Sequence, residues 1–287
     1  MNGTDGRTTA AATTVSTATS VADAPTLLEG IGIHKSFGKG RRRHEVLHGC
    51  SIRVHEGECV AVIGGSGSGK STLTRILLGL EAPDVGDVRF DGEPIASADG
   101  RHRLRRASGI VYQDPFSSLD PRWTAFQSVS EPLRLRAHDR GDGGKHDVKH
   151  SDDGFVARVC EALRLVALDP QEFLDRYPID MSGGQAQRVA IARAIVTGPR
   201  LLLADEAMSA IDVAARLQIL DAFAAVRARD PRMGMLLVSH DLGVVQSIAD
   251  TIVVLHDGVV VEQGCVAAVF GDPQVPYTRE LVAAATL

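Results

Sequence analysis

The sequence predicts an α/β fold built on a largely parallel sheet, and three observations predict it. Four short apolar runs, "CVAVI" at Cys59, "RLLLADE" at Arg200, "GMLLVSH" at Gly234 and "TIVVLHDG" at Thr251, have the length of buried strands. The last three are separated by helical stretches, the rhythm of strands joined by crossover helices. A glycine-rich turn, "GGSGSGKS" from Gly64 to Ser71, leaves the first run and opens a helix expected over Lys70 to Leu80. The 287 residues are long enough for one large domain or two smaller ones.

The elements follow in order along the chain. Residues 1–26 are rich in Thr, Ala and Ser with few large hydrophobics, and read as a disordered tail. They lack the basic start and apolar stretch of a signal peptide. From Leu27 the pattern becomes strand-like, and "CSIRV" puts Cys50, Ile52 and Val54 on one face. "EGE" at Glu56 then turns the chain into "CVAVI", a run suited to a strand covered on both sides. Helical patterning dominates Trp123 to Val196. The His-, Asp- and Gly-rich stretch 138–154 has no fixed ligand spacing, so it reads as a solvated insertion rather than a metal site. "GKGRRRHE" from Gly38 reads as an exposed loop.

Bulk composition excludes some functions. A net charge of -5 argues against a dedicated nucleic-acid binder. No apolar run approaches the ~20 residues that span a bilayer, so a membrane process would need other chains to make the crossing. Cys50, Cys59, Cys160 and Cys265 form no C-x-x-C pair and read as reduced thiols of a cytosolic protein.

Chemistry concentrates at Gly64 to Thr72. Glycines let a loop curl so that its N–H groups face phosphate oxygens, and the helix start adds a favourable dipole. Gly64, Gly65, Ser66, Gly67, Ser68, Gly69 and Thr72 are assigned to nucleotide binding. Lys70 should reach the β- and γ-phosphates, and the Ser71 hydroxyl should ligate Mg²⁺. Asp205, ending a buried strand, is placed to hold the same Mg²⁺. Glu206 follows it as the candidate general base. The guanine-reading pattern Asn-Lys-x-Asp is excluded, because the chain's only asparagine is Asn2, so ATP is the expected nucleotide.

"MSGGQ" at Met181 is similar to the signature sequence of ABC-type ATPases, and further residues join the resemblance. Phe37 resembles the aromatic that stacks on adenine. Gln113 in "VYQDP" resembles the glutamine that joins Mg²⁺ to the membrane partner. Ser209 to Asp212 resembles the D-loop, and His240 the switch histidine at the γ-phosphate. The resemblance implies a P-loop NTPase with a RecA-like core sheet, an antiparallel β subdomain and a helical signature subdomain. That subdomain would span about 115–195 within an ATPase domain of 27–287, whose family-type extension covers about 264–287. Ser182 sits where a helix N-cap belongs. A helix terminus contributes only ~0.3–2 kcal/mol toward an anion, too little to bind ATP unaided. In the family the turn closes a site on a second chain, so Ser182, Gly183 and Gly184 would serve a neighbour's γ-phosphate, and Gln185 and Asp212 are assigned to nucleotide binding with them.

"YQDPFSSLDPR", Tyr112 to Arg122, resembles the region found in importers of oligopeptides, dipeptides and nickel. "VEQG" at Val261 and "VPYTREL" at Val275 are similar to their closing stretch, with Val275 replacing a histidine. "DEAMSAID" departs from the common D-E-P-T-S-A-L-D but keeps both carboxylates. The implied function is an ATP-hydrolysing subunit that energises an importer of peptides, nickel or related solutes. Implied partners are a second ATPase subunit, identical or not, two transmembrane permeases and, indirectly, an extracytoplasmic solute-binding protein. The place implied is peripheral, on the cytoplasmic face of the membrane. The alternative, a soluble ABC ATPase acting on nucleic acid or ribosomes, would call for zinc modules, a coiled coil or tandem cassettes, and the sequence shows none.

Overall fold

A computed structural model of the chain describes residues 24–38, 40, 43–139, 153–208 and 211–285. The tail before residue 24, most of the 138–154 stretch, part of the loop after Gly38, and Ser209 with Ala210 lie outside the described residues.

Two long strands, β1 (Thr26–Phe37) and β2 (His44–His55), pair antiparallel. In β2 Cys50, Ile52 and Val54 are buried while Ser51 and Arg53 are exposed, the alternation read from the sequence. β3 (Cys59–Ile63) is buried at every residue. The glycine turn leads to α1 (Lys70–Leu77), which stops short of the expected Leu80. Gly79 turns left-handed there, at φ 67°, a conformation that ends helices at little cost only for glycine. β4 (Val85–Phe90) and β5 (Glu93–Pro94) complete a four-stranded sheet of order β2-β1-β4-β5.

After α2 (Ala98–Ala107), β6 (Ser108–Val111) enters a second sheet. The helical middle holds α3 (Pro115–Ser118), α4 (Ala125–Asp139), α5 (Asp153–Leu165), α6 (Pro170–Phe173) and α7 (Gly183–Ile195). Strands and helices then alternate as β7 (Leu201–Asp205), α8 (Val213–Arg229), β8 (Gly234–Val238), α9 (Leu242–Ile248) and β9 (Thr251–His256). β10 (Val259–Cys265), α10 (Val266–Gly271) and α11 (Pro276–Ala285) close the described chain. The second sheet has order β10-β9-β3-β8-β7-β6 and is parallel except for β10.

The period-two pleat divides the interior. Cys59, Ala61 and Ile63 face a core shared with α4, α5, α7 and α8, while Val60 and Val62 face one shared with α1 and the antiparallel sheet. β7, β8 and β9 split in the same way, and each fully buried Val, Leu or Ile contributes roughly 1.5–3 kcal/mol. This is the α/β class expected: a mostly parallel core sheet, a separate antiparallel sheet and a body of helices. In such sheets ligands sit beyond the carboxyl ends of the strands. At that edge β3 delivers Gly64, β7 delivers Asp205 and Glu206, and β8 delivers Ser239 and His240. No helix among the described residues is long and apolar enough to cross a membrane.

Candidate functional site

The loop after β3 is glycine-rich because its backbone requires it. Gly64, Gly67 and Gly69 have φ of 153°, 78° and 101°, outside the range L side chains adopt freely. A Cβ at Gly64 would also lie 2.0 Å from the Leu255 carbonyl oxygen. Gly69 is the N-cap of α1, so no side chain caps that helix start. Lys70 is buried, and its Nζ donates to the carbonyl oxygens of Gly64 and Gly65, each at 2.8 Å.

A cavity of about 740 Å³ lies over this loop, lined by residues 64–67 and 69–72 together with Glu206 and His240. Its size suits a small-molecule ligand. Ser68 is buried beneath the lining, with its carbonyl accepting from Gly258 N–H at 3.0 Å. Glu206 stands at φ 47°, a left-handed conformation costing a non-glycine residue roughly 1–2 kcal/mol. Its N–H donates to the Val238 carbonyl at 2.9 Å, which ties the strained residue to the neighbouring strand. Glu206 Oε1 lies 3.6 Å from His240 Nδ1.

Burial pushes the Asp205 carboxyl above its ordinary value; the Glu206 charge adds to this and Lys70 opposes it. Burial likewise holds the Lys70 ammonium below its ordinary value, against the pull of Glu206 and then Asp205. The Asp205 carboxylate is half-buried at the end of β7 and is not part of the cavity wall, but with Glu206 beside it and the Ser71 hydroxyl on that wall the donors are hard oxygens of the kind a divalent cation takes.

Other sequence-assigned residues stand apart from this cavity. Phe37 is exposed at the end of β1, with Lys35 Nζ 5.3 Å from its ring centroid. Gln113 is exposed just beyond β6. At the start of α7, Ser182 Oγ accepts from Gln185 N–H at 3.2 Å and Gln185 Oε1 accepts from Ser182 N–H at 3.0 Å. This reciprocal capping box puts Ser182 at the N-cap, as its sequence position predicts. It leaves the N–H groups of Gly183 and Gly184 unanswered by either side chain. Among the described residues a Cβ at Gly183 would meet nothing within 4 Å, whereas one at Gly184 would lie 2.5 Å from Ala215 Cβ. Asp212 caps α8, its Oδ1 accepting from Ala215 N–H at 2.9 Å.

Besides Ile63 at the end of β3, the cavity wall also holds Val46, Leu242, Leu281 and Ala284, which sequence reasoning missed. For the last two a signal existed, their helical i,i+3 spacing in α11. For Val46 and Leu242 none did.

Residues 47–209 match the protein-family model described as ABC transporter. The oligopeptide transport ATP-binding protein OppF of Lactococcus lactis subsp. lactis is 38% identical over 240 residues, covering 83% of this chain and 71% of that protein. The glutathione import ATP-binding protein GsiA of Salmonella choleraesuis is 40% identical over 250 residues, 86% of this chain but 38% of that longer protein. Among solved structures, dimeric MJ0796, a bacterial ABC transporter cassette, matches with a TM-score of 0.70 and 29% identity, covering 84% of this chain and 99% of that one. CbiO1 of Clostridium perfringens, part of an ABC transporter complex, matches with a TM-score of 0.73 and 26% identity, covering 92% and 100%.

Proposed function

The chain belongs to the ABC transporter family, and from that premise we propose that it is the ATP-binding and ATP-hydrolysing subunit of an importer for peptides, nickel or related small solutes. The observation that carries this reading is one cavity that gathers the phosphate loop, Lys70 and Ser71 with Glu206 and His240.

The loop of residues 64–72 wraps the phosphates with those backbone N–H groups that are not already engaged, as Gly65 and Ser68 are, and Lys70 holds the β- and γ-phosphate oxygens. Ser71, Asp205 and Gln113 would hold Mg²⁺, which supplies charge neutralisation at the phosphoryl oxygens. Glu206 takes the proton of the attacking water, a role contributing ~10²–10⁴ in rate. His240, 3.6 Å from that carboxylate, orients it and meets the γ-phosphate. Phe37 stacks on adenine.

The turn at Ser182, Gly183, Gly184 and Gln185, with Asp212 nearby, lies outside the chain's own cavity. It contains no lysine, and a helix start alone contributes ~0.3–2 kcal/mol. It therefore completes a nucleotide site whose phosphate loop belongs to a second ATPase subunit, identical or not. The similar MJ0796 cassette is dimeric, which supports this pairing. Residues of about 115–195, from α3 to α7, form the helical subdomain that presents the turn, and about 264–287 the family-type extension. OppF and GsiA are named as ATP-binding proteins of oligopeptide transport and glutathione import, which supports two transmembrane permeases and an extracytoplasmic solute-binding protein as further partners. The subunit works peripherally, on the cytoplasmic face of the membrane.

Glu206→Gln tests the mechanism. Binding of Mg·ATP should persist while steady-state turnover falls by roughly 10²–10⁴. Normal turnover in that variant would remove Glu206 from the base role, and a wild-type chain that binds no ATP would sink the whole reading.

A further inference from the structure

α11 takes no part in the chemistry just described, yet it touches the phosphate loop. Its start is pinned by Glu262 on β10, whose carboxylate accepts from the N–H groups of Gln274 at 2.9 Å and Val275 at 3.2 Å. The next turn brings Tyr277 to the carboxyl edge of the core sheet. There its ring stacks on His256 at the end of β9, with centroids 3.8 Å apart and planes inclined by 24°. Its hydroxyl accepts a hydrogen bond from Gly65 N–H at 2.8 Å.

That N–H belongs to the peptide whose carbonyl is Gly64 O, and Gly64 O accepts from Lys70 Nζ at 2.8 Å. One peptide unit therefore links Tyr277 on one side to Lys70 on the other. Because the peptide is planar, fixing the N–H direction fixes the C=O direction. Both flanking residues are glycines, so no Cβ resists rotation of the plane. The Tyr277 hydroxyl supplies the restraint that the glycines lack. A ring needed only for packing would stack on His256 equally well as phenylalanine. The oxygen is what reaches the loop.

We infer that Tyr277 is a positioning residue for nucleotide binding: its hydroxyl sets the Gly64–Gly65 peptide and, through the Gly64 carbonyl, the direction of the Lys70 ammonium. The inference rests on the reading that this cavity takes ATP. It extends that site to a residue 212 positions away in sequence from the loop it holds. It also gives the C-terminal helix a task at the nucleotide.

Tyr277→Phe keeps the ring and removes only the hydroxyl, and with it the acceptor for Gly65 N–H. The full-length chain and this variant are titrated calorimetrically with Mg·ATP, and their unfolding temperatures are measured without nucleotide. The dissociation constant should rise by about three- to ten-fold, the scale of one neutral hydrogen bond. Turnover at saturating ATP should stay within about two-fold of wild type, and the unfolding temperature within about 2 °C. A dissociation constant unchanged to within about two-fold overturns the inference. Weaker binding that comes with a matching fall in unfolding temperature also overturns it, by making Tyr277 a packing residue. A wild-type chain that does not bind Mg·ATP is a separate result: it removes the ATP reading of the cavity and this inference with it.

Discussion

Two glycine-rich turns each open a helix in this chain, and they use glycine for different reasons. In the turn before α1 the backbone itself requires it, with Gly64, Gly67 and Gly69 all at positive φ. In the turn before α7 both glycines are helical, and any residue could adopt the backbone. What excludes a side chain at Gly184 is Ala215 on α8, and at Gly183 nothing among the described residues does. The helix starts differ as well. α1 has no side-chain cap, whereas α7 closes on itself through Ser182 and Gln185. The first turn is shaped by its own dihedral angles. The second is a self-sufficient helix end with one face kept small. Glycine content alone does not separate these two designs, because missing bulk and permitted φ are distinct properties of the same residue.

Substitution by alanine separates them, and the largest effect belongs to the first turn. Gly64→Ala combines φ 153° with a Cβ 2.0 Å from a carbonyl oxygen, so it should lose nucleotide binding and cost on the order of 2–4 kcal/mol in a denaturant titration. A variant as stable as wild type would show that the loop can be rebuilt around a side chain. Gly184→Ala comes next. Forcing α7 off Ala215 should cost about 1–3 kcal/mol, read as a lower unfolding midpoint.

Gly183→Ala sharpens the comparison most. With open space and helical backbone it should be neutral or stabilising by roughly 0.5–1 kcal/mol, while ATP turnover of the assembled transporter falls. Full turnover would mean that this face meets no nucleotide across a subunit boundary.

The smallest effect concerns the anchor of α11. Burial pushes the Glu262 carboxyl up, but the N–H groups of Gln274 and Val275 and the Arg279 charge help to hold it below its ordinary value. A depressed carboxyl adds stability above its unfolded pKa and loses it as pH falls through the folded one. Glu262→Gln should therefore lower the unfolding temperature by about 1–2 °C near neutrality, small because a carboxylate with partial solvent access is screened by water. The gap should close in acid. A gap that persists at low pH would assign the effect to shape rather than charge.

Much of the fold was legible from period and length. β3, β7, β8 and β9 are short apolar runs that no exposed strand would tolerate, and β2 alternates because one of its faces meets solvent. The capping box was half legible, since Ser182 announces an N-cap and Gln185 sits at the position that answers it. The end of α1 was misjudged, because leucine at positions 78 and 80 continues a helical pattern that Gly79 interrupts. The conformation of Glu206 was not legible at all. Nothing about a glutamate announces φ 47°; the pull comes from Val238 on the next strand.

By itself, then, the sequence determined whatever backbone sterics and local spacing can decide: the glycine turn with its lysine, the buried strands and the capped start of α7. Only the tertiary structure decided which distant groups meet, as His240 meets Glu206 and Tyr277 meets Gly65. The reason is that such meetings follow from the order β9-β3-β8-β7 across the sheet. That order minimises exposed apolar surface over the whole chain at once, a sum that no local window contains.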